Sequence, residues 1–201
     1  MASILISGHK GFIGQHLHKA LKDEHEVVGL DLYGYEPKPL DAYDGIIHLA
    51  AVSRVKEAQR DPVACMGTNI IETVKMMQLP HKWFILASSC EEPRNVYGLS
   101  KRCAEDYVKI AGDMYIILRL SNVYGPGMQE DKLLPLLRNA VVAAINPDTL
   151  PFEHIHVDEV VAQIKTLIPT FANAHFKPYT LKLANGIART PQELLDVAAS
   201  Y

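Results

Sequence analysis

Tyr97 and Lys101 stand four residues apart in the stretch ASSCEEPRNVYGLSK, which runs from Ala87 to Lys101. That spacing places both side chains on one face at the start of a helix. A tyrosine must lose about three pKa units to act as a base near neutrality, a cost of about 4 kcal/mol. One ammonium about 4 Å away supplies roughly that much at an effective dielectric of about 20. The pair is therefore chemically adequate for proton transfer at a hydroxyl. A serine hydroxyl would orient the reacting oxygen: Ser89, or Ser88 if the register slips by one. A Tyr/Lys pair on an amphipathic helix is also a common structural feature in its own right.

A second group of residues lies at the start of the chain. Gly8, Gly11 and Gly14 fall three apart, between the apolar run Ile4-Leu5-Ile6 and a helical pattern from Phe12 to Leu21. Gly8 permits a tight turn, Gly11 lets the backbone approach a pyrophosphate, and Gly14 lets helix pack close to strand. The free N–H groups and positive dipole end of the helix favour an anion there. Asp31 ends the second apolar run, 23 residues after Gly8. A carboxylate at that place accepts both adenosine-ribose hydroxyls and repels a 2′-phosphate, which selects NAD over NADP. The plainer reading is a tight turn plus a solvated aspartate. Lys10 could reach a phosphate or simply stand as an exposed loop cation.

The elements that must hold these residues can be read from the apolar runs. Ile4–Ile6, Val27–Leu30, Ile46–Leu49, Trp83–Leu86 and Tyr115–Leu120 read as strands. Phe12–Leu21, a segment opening at Asp61-Pro62 and passing Ile70, Val74 and Met77, and Leu99–Ala111 read as helices. The strand runs are continuously apolar, as in a parallel sheet covered on both faces. Strand–helix alternation predicts a doubly wound, Rossmann-like α/β fold. Past Pro126 a helix is expected over Lys132–Ala144, an extended run over Phe152–His156, a helix over Asp158–Leu167 and a strand over Tyr179–Leu183. The Thr190-Pro191-Gln192-Glu193 capping box predicts a last helix.

Composition narrows the class. With 201 residues, 48% of them hydrophobic, the chain can bury one sizeable core. A formal net charge of −3 and the lack of like-charge blocks argue against a nucleic-acid or membrane partner. No apolar run is long enough to span a bilayer and no leader pattern is legible, so a cytoplasmic location is expected. Cys65, Cys90 and Cys103 read as reduced thiols, and the nine histidines lack ligand spacing, so no metal is expected.

The ordered set of motifs resembles the extended short-chain dehydrogenase/reductase superfamily, the NAD-dependent sugar epimerase/dehydratase group. It comprises the glycine turn, Asp31, HLAAVSRV from His48, Asp61-Pro62, Asn69, the Ser88-Ser89 pair, YGLSK from Tyr97, LRLSNVYGPG from Leu118 and HVDEV from His156. The resemblance covers roughly residues 3 to 167. It implies that Tyr97 is the catalytic acid/base, that Lys101 binds the nicotinamide ribose and lowers the Tyr97 pKa, and that Ser89 hydrogen-bonds the reacting sugar oxygen. It implies an NAD site at Gly8, Lys10, Gly11, Phe12, Ile13, Gly14, Asp31, Leu32, Leu49, Ala50, Ala51, Tyr97 and Lys101. It also implies that Asn69 supports the catalytic helix region and that Asn122, with Ser89, meets the substrate. It divides the chain into a dinucleotide-binding core at 1–125 and a reduced substrate-binding portion at 126–201, intertwined with the core, which regains His156–Leu167. It further implies a homodimer through the helices that start at Asp61 and Leu99, with Met66, Ile70, Val74, Met77, Cys103 and Tyr107 among their apolar positions.

Several positions depart from the family pattern. The segment from Ser89 to Tyr97 is short. Cys90-Glu91 replaces the Asp-Glu pair of the dehydratases, and Phe152-Glu153-His154 replaces an Arg-Asp-aromatic run whose arginine grips a diphosphate. The part after Ile187 reads as truncated. The expected activity is NAD-dependent epimerisation of a nucleotide sugar or related sugar by hydride transfer. A net reductase or dehydrogenase, a dehydratase, and a catalytically silent NAD-binding protein are the alternatives.

Overall fold

The structure is a computed structural model that describes residues 1–31, 42–128, 152–184 and 188–189. Leu32, the expected helix at Lys132–Ala144 and the one after Thr190 lie outside the described residues. Six strands form one parallel sheet: β1 (Ser3–Ser7), β2 (Glu26–Leu30), β3 (Tyr43–His48), β4 (His81–Ser89), β5 (Tyr115–Leu120) and β8 (Tyr179–Leu183), in the order β2-β1-β3-β4-β5-β8. A smaller sheet joins β6 (Asn122–Tyr124), β7 (Phe152–His156) and β9 (Ala188–Arg189). β8, from the part of the chain after residue 126, thus joins the main sheet beside β5.

Helices cover both faces, which is why the strand runs are apolar throughout. Alternate residues of β1 go to opposite sides. Ile4 and Ile6 meet Leu17 and Leu21 of α1 (Phe12–Leu21) and Val160 and Ile164 of α6 (Val157–Leu167). Leu5 shares the other side with Met76 of α4 (Glu72–Gln78) and with Ala104 and Val108 of α5 (Val96–Ala111). All ten of these helix and strand-face residues are nearly or fully buried. Each fully buried aliphatic side chain contributes about 1.5–3 kcal/mol.

The expected helix from Asp61-Pro62 is present in three pieces. The Asp61 carboxylate caps α3 (Pro62–Met66) by accepting the Ala64 N–H at 3.0 Å. A π turn over Gly67–Ile71 follows, and α4 completes the run. A short helix absent from the sequence reading, α2 (Val55–Arg60), precedes it. The sheet changes winding direction between β1 and β3, and crevices at the carboxyl ends of such strands are where α/β folds bind ligands. Gly8 and Leu49 leave the sheet at that point.

Candidate active site

The glycine turn is built by close approach. Gly8 has φ +75°, in the left-handed region, and a Cβ there would lie 2.7 Å from the Ala50 backbone nitrogen. Its N–H donates to the Leu30 carbonyl at 2.7 Å, while the Leu49 N–H donates to the Ser7 carbonyl at 3.0 Å. The turn is thus pinned between β2 and β3. A Cβ on Gly14 would collide with the Gly8 carbonyl oxygen, so α1 can start this close to β1 only with glycine there. Gly11 is the N-cap of α1 and is exposed. The first helical amides, of Phe12, Ile13 and Gly14, face the crevice side without intrahelical acceptors. Leu49, Ala50 and Ala51 form the opposite wall. This cradle fits a dinucleotide pyrophosphate.

Asp31 directly follows β2, and its carboxylate already has partners. Its carboxylate accepts the Lys10 backbone N–H at 3.3 Å and stands 3.6 Å from the Lys10 ammonium and 3.5 Å from His9 Nδ1. Lys10 therefore lies beside the aspartate, with its long side chain otherwise exposed.

At the end of β4 the two serines separate. Ser88 is buried and donates to Glu105 Oε1 at 2.6 Å. Ser89 turns to the other face, where its hydroxyl acts on the Tyr97 phenol and accepts the Glu91 N–H at 3.0 Å. The geometry thus pairs Ser89, rather than Ser88, with Tyr97. Asn95 caps α5, its side-chain oxygen accepting the Gly98 N–H at 2.8 Å. This starts the helix just before Tyr97.

In this structure the Tyr97 phenol is raised above its ordinary value. Burial is the main cause, and Glu91 adds to it while the Ser89 hydrogen bond opposes it; Lys101 is not among the groups that move it most. Lys101 itself is 4% exposed. Burial pushes its pKa down to about 8 against the opposing influence of Glu105 and Cys65. The separation that matters is set by burial, which residue spacing does not report.

Asn69 lies in the π turn and clamps two elements. Its side-chain oxygen accepts the Val52 N–H at 2.8 Å, and its amide donates to the Val52 carbonyl at 3.1 Å and to Ser100 Oγ at 2.8 Å. Ser100 in turn donates to the Tyr97 carbonyl at 2.7 Å. The supporting role expected for Asn69 thus has a geometry. Asn122 is exposed at the start of β6, beside His154 of β7. Glu91 accepts from the Asn95 side chain at 2.8 Å and faces solvent. Burial raises the Cys90 thiol, which donates to the Arg119 carbonyl. Two residues that the sequence reading did not single out are fully enclosed at this site, His48 and Glu105. Their only sequence signals were a polar residue inside an apolar strand and an acid one turn after Lys101. Among the described residues, no group of three or more His, Cys, Asp or Glu side chains is placed to hold a metal ion, and no helix is long and apolar enough to cross a membrane.

These features define a Rossmann-like α/β protein with a tyrosine–lysine–serine site at the carboxyl end of its sheet. The chain belongs to the NAD dependent epimerase/dehydratase family, whose model matches residues 4–180. It is 28% identical to a putative UDP-glucose 4-epimerase of Methanocaldococcus jannaschii over 171 residues, taking in 61% of this chain and 56% of that protein. It is 30% identical to a UDP-2-acetamido-2,6-beta-L-arabino-hexul-4-ose reductase of Pseudomonas aeruginosa over 133 residues, taking in 61% of this chain and 36% of that protein. The chain thus spans about half or less of the length of these curated relatives. Among solved structures, MoeE5 in complex with UDP-glucose and NAD superposes with a TM-score of 0.82 at 23% identity, over 98% of this chain and 81% of that one. An RMD from Pseudomonas aeruginosa complexed with NADPH superposes with a TM-score of 0.80 at 20% identity, over 100% of this chain and 82% of that one.

Proposed function

We propose that this chain is an NAD-dependent oxidoreductase of nucleotide sugars that works as an epimerase, with Tyr97 as acid/base. The observation that carries the reading is that Ser89, at the carboxyl end of β4, acts on the Tyr97 phenol at the start of α5, one helical turn before buried Lys101, at the same carboxyl end of the parallel sheet from which the glycine turn leaves β1. Residues 1–125 carry the cofactor site, and 126–201 contribute the substrate side.

NAD, when bound, supplies the hydride acceptor and donor. The glycine turn, the first amides of α1 and Asp31 would hold it, and Lys101 would meet its nicotinamide ribose. The chain's own part is proton handling and orientation. The Tyr97 phenol, raised by burial, is protonated at neutral pH and donates to a sugar carbonyl oxygen as that carbon is reduced. In the oxidising direction the same oxygen must first be a phenolate, so that direction speeds up as pH rises. The Ser89 hydroxyl is placed to donate to the sugar oxygen or to the phenolate.

Glu91 is engaged with the α5 cap and is exposed, which favours epimerisation or reduction over dehydration. Val63, Ile71 and Leu99, at 83%, 52% and 45% exposure, leave an apolar surface on α3, the π turn and α5. That surface supports a homodimer through these helices; a monomer by sedimentation at micromolar concentration would refute it. The test of function is a panel of UDP- and GDP-sugars, read by NADH absorbance and product analysis. Interconversion of two sugars without net NADH, in protein that retains NAD, is the expected result. Neither NAD binding nor turnover with any sugar would overturn the reading.

A further inference from the structure

His48, at the last position of β3, is 1% exposed. Both nitrogens of its ring are used. Nδ1 lies 2.5 Å from Ser7 Oγ, at the end of β1, and Nε2 lies 3.0 Å from Thr73 Oγ1, on α4. The direction of these bonds follows from counting protons. The Thr73 hydroxyl gives its single proton to the Asn69 carbonyl at 2.8 Å. It can therefore only accept from His48, and Nε2 carries the ring proton. Nδ1 is then the bare nitrogen and accepts the Ser7 O–H. A protonated ring would instead donate to Ser7, with the hydroxyl turned to accept, so the neutral ring is the form in which Ser7 donates. Burial and the nearby Lys101 charge keep the ring neutral, with a pKa of about 3.

The bonds form one path. Ser7 directly precedes Gly8 and the glycine turn. Thr73 grips the backbone of Asn69 inside the π turn, and the Asn69 side chain reaches Val52 and Ser100, which holds the Tyr97 carbonyl. A π turn is a widened stretch of helix, so its position depends on what fixes it. We propose that His48 is a positioning residue for the candidate active site. Bridging Ser7 and Thr73, it fixes the π turn that carries Asn69 and so sets the cofactor turn against the start of the Tyr97 helix. The naming of cofactor and Tyr97 rests on the function proposed above; the bond path does not.

The test combines Thr73→Val, which keeps the shape and removes the hydroxyl, with Ser7→Ala at the other nitrogen, Thr73→Ser as the conservative rescue, and the Ser7→Ala/Thr73→Val double variant. The readouts are NAD affinity by calorimetry, melting temperature and the nitrogen-15 shifts of the His48 ring. The ligand-free wild type is expected to show a neutral Nε2–H ring. Each single variant is expected to lose about fivefold in NAD affinity, the worth of one hydrogen bond. The double variant is expected to lose little more than the worse single, because both break one path, and Thr73→Ser is expected to recover wild-type binding. A ring with its proton on Nδ1, losses that multiply in the double variant, or folded single variants that melt lower yet bind NAD normally would each overturn the proposal. If Thr73→Val does not fold, Ser7→Ala and the ring tautomer decide alone. A wild type that binds no NAD would sink the oxidoreductase reading, while the tautomer would still settle the bond path.

Discussion

Helix α5 buries two opposite charges one turn apart and treats them differently. Glu105, fully buried, accepts from Ser88 at 2.6 Å, from Arg119 Nε and Nη2 at 2.9 and 2.6 Å, and from Arg102 at 3.0–3.1 Å. Burial alone would raise its carboxyl, but the Arg119 hydrogen bonds, Ser88 and Arg102 together hold it below the ordinary value. Lys101 is almost as enclosed, yet among the described residues no carboxylate stands within ion-pair distance of its ammonium, and its pKa falls to about 8. One charge is saturated and belongs to the scaffold. The other is kept at a burial cost, acted on by Glu105 and Cys65 and itself acting on His48. Both charges are buried, but only the one proposed to be functional keeps an unbalanced burial cost.

The largest break in that contrast is Glu105→Gln. It leaves two guanidinium groups around a neutral amide, and breaking a buried ionic cluster costs about 3–5 kcal/mol. Urea denaturation at pH 7 is expected to show a loss at the lower end, because Arg102 and Arg119 keep 25% and 33% of their side-chain surface exposed. An unchanged midpoint would mean that Glu105 supports nothing.

Lys101→Met is expected to move stability the other way. The folded pKa of about 8 lies below the unfolded value of 10.5. From about 8 to 10.5 the unfolded chain binds more protons, so this group makes stability rise with pH across that window; below about 8 the full cost of the buried charge applies. Removing it should stabilise the ligand-free chain at pH 7 by about 3 kcal/mol and flatten the alkaline rise, while weakening NAD binding. A variant that is less stable at pH 7 would show that the ammonium is well solvated or paired.

Tyr97→Phe sharpens the functional side. Turnover on a verified substrate is expected to fall at least about a hundredfold, with fold and NAD binding retained. In the wild type the oxidising rate should climb with pH on a limb displaced to the alkaline side, because the phenol is raised, and the variant should lack that limb. Wild-type turnover in the variant would make Tyr97 an ordinary helix residue.

Much of this arrangement was legible in residue types. The continuous apolar runs named the parallel sheet, and Tyr115–Leu120 and Tyr179–Leu183 match β5 and β8 residue for residue. The glycine spacing named the turn, because Gly8 and Gly14 are forced by collisions with backbone that nothing else could relieve. What escaped has a common cause. The π turn at Gly67–Ile71 leaves apolar periodicity intact while shifting one hydrogen bond. His48 bridges β1 and α4, elements 41 and 25 residues away along the chain, and no local pattern encodes that distance. The direction of the Tyr97 shift depends on enclosure by the folded chain, whereas spacing to Lys101 reports only proximity.

The smallest expected effects come from the neighbouring serines, and they test the contrast most finely because the two variants delete the same atom one residue apart. Ser88→Ala removes one of the donors that saturate Glu105. The carboxylate keeps both arginines, so the loss should be about 1 kcal/mol of stability, with turnover and its pH profile unchanged. Ser89→Ala removes the hydroxyl that meets Tyr97 and accepts the Glu91 N–H at 3.0 Å. Glu91 is exposed, so water can replace that acceptor and stability should change by less than about 0.5 kcal/mol. The Tyr97 phenolate loses its hydrogen bond, so the alkaline limb should move to still higher pH and turnover should fall by about tenfold, one charged hydrogen bond's worth. Thermal melts and pH–rate profiles on both variants separate the faces. Were Ser88→Ala to shift the pH profile and Ser89→Ala to leave it unmoved, the two serines would have exchanged roles, and the pairing of Ser89 with Tyr97 would be wrong.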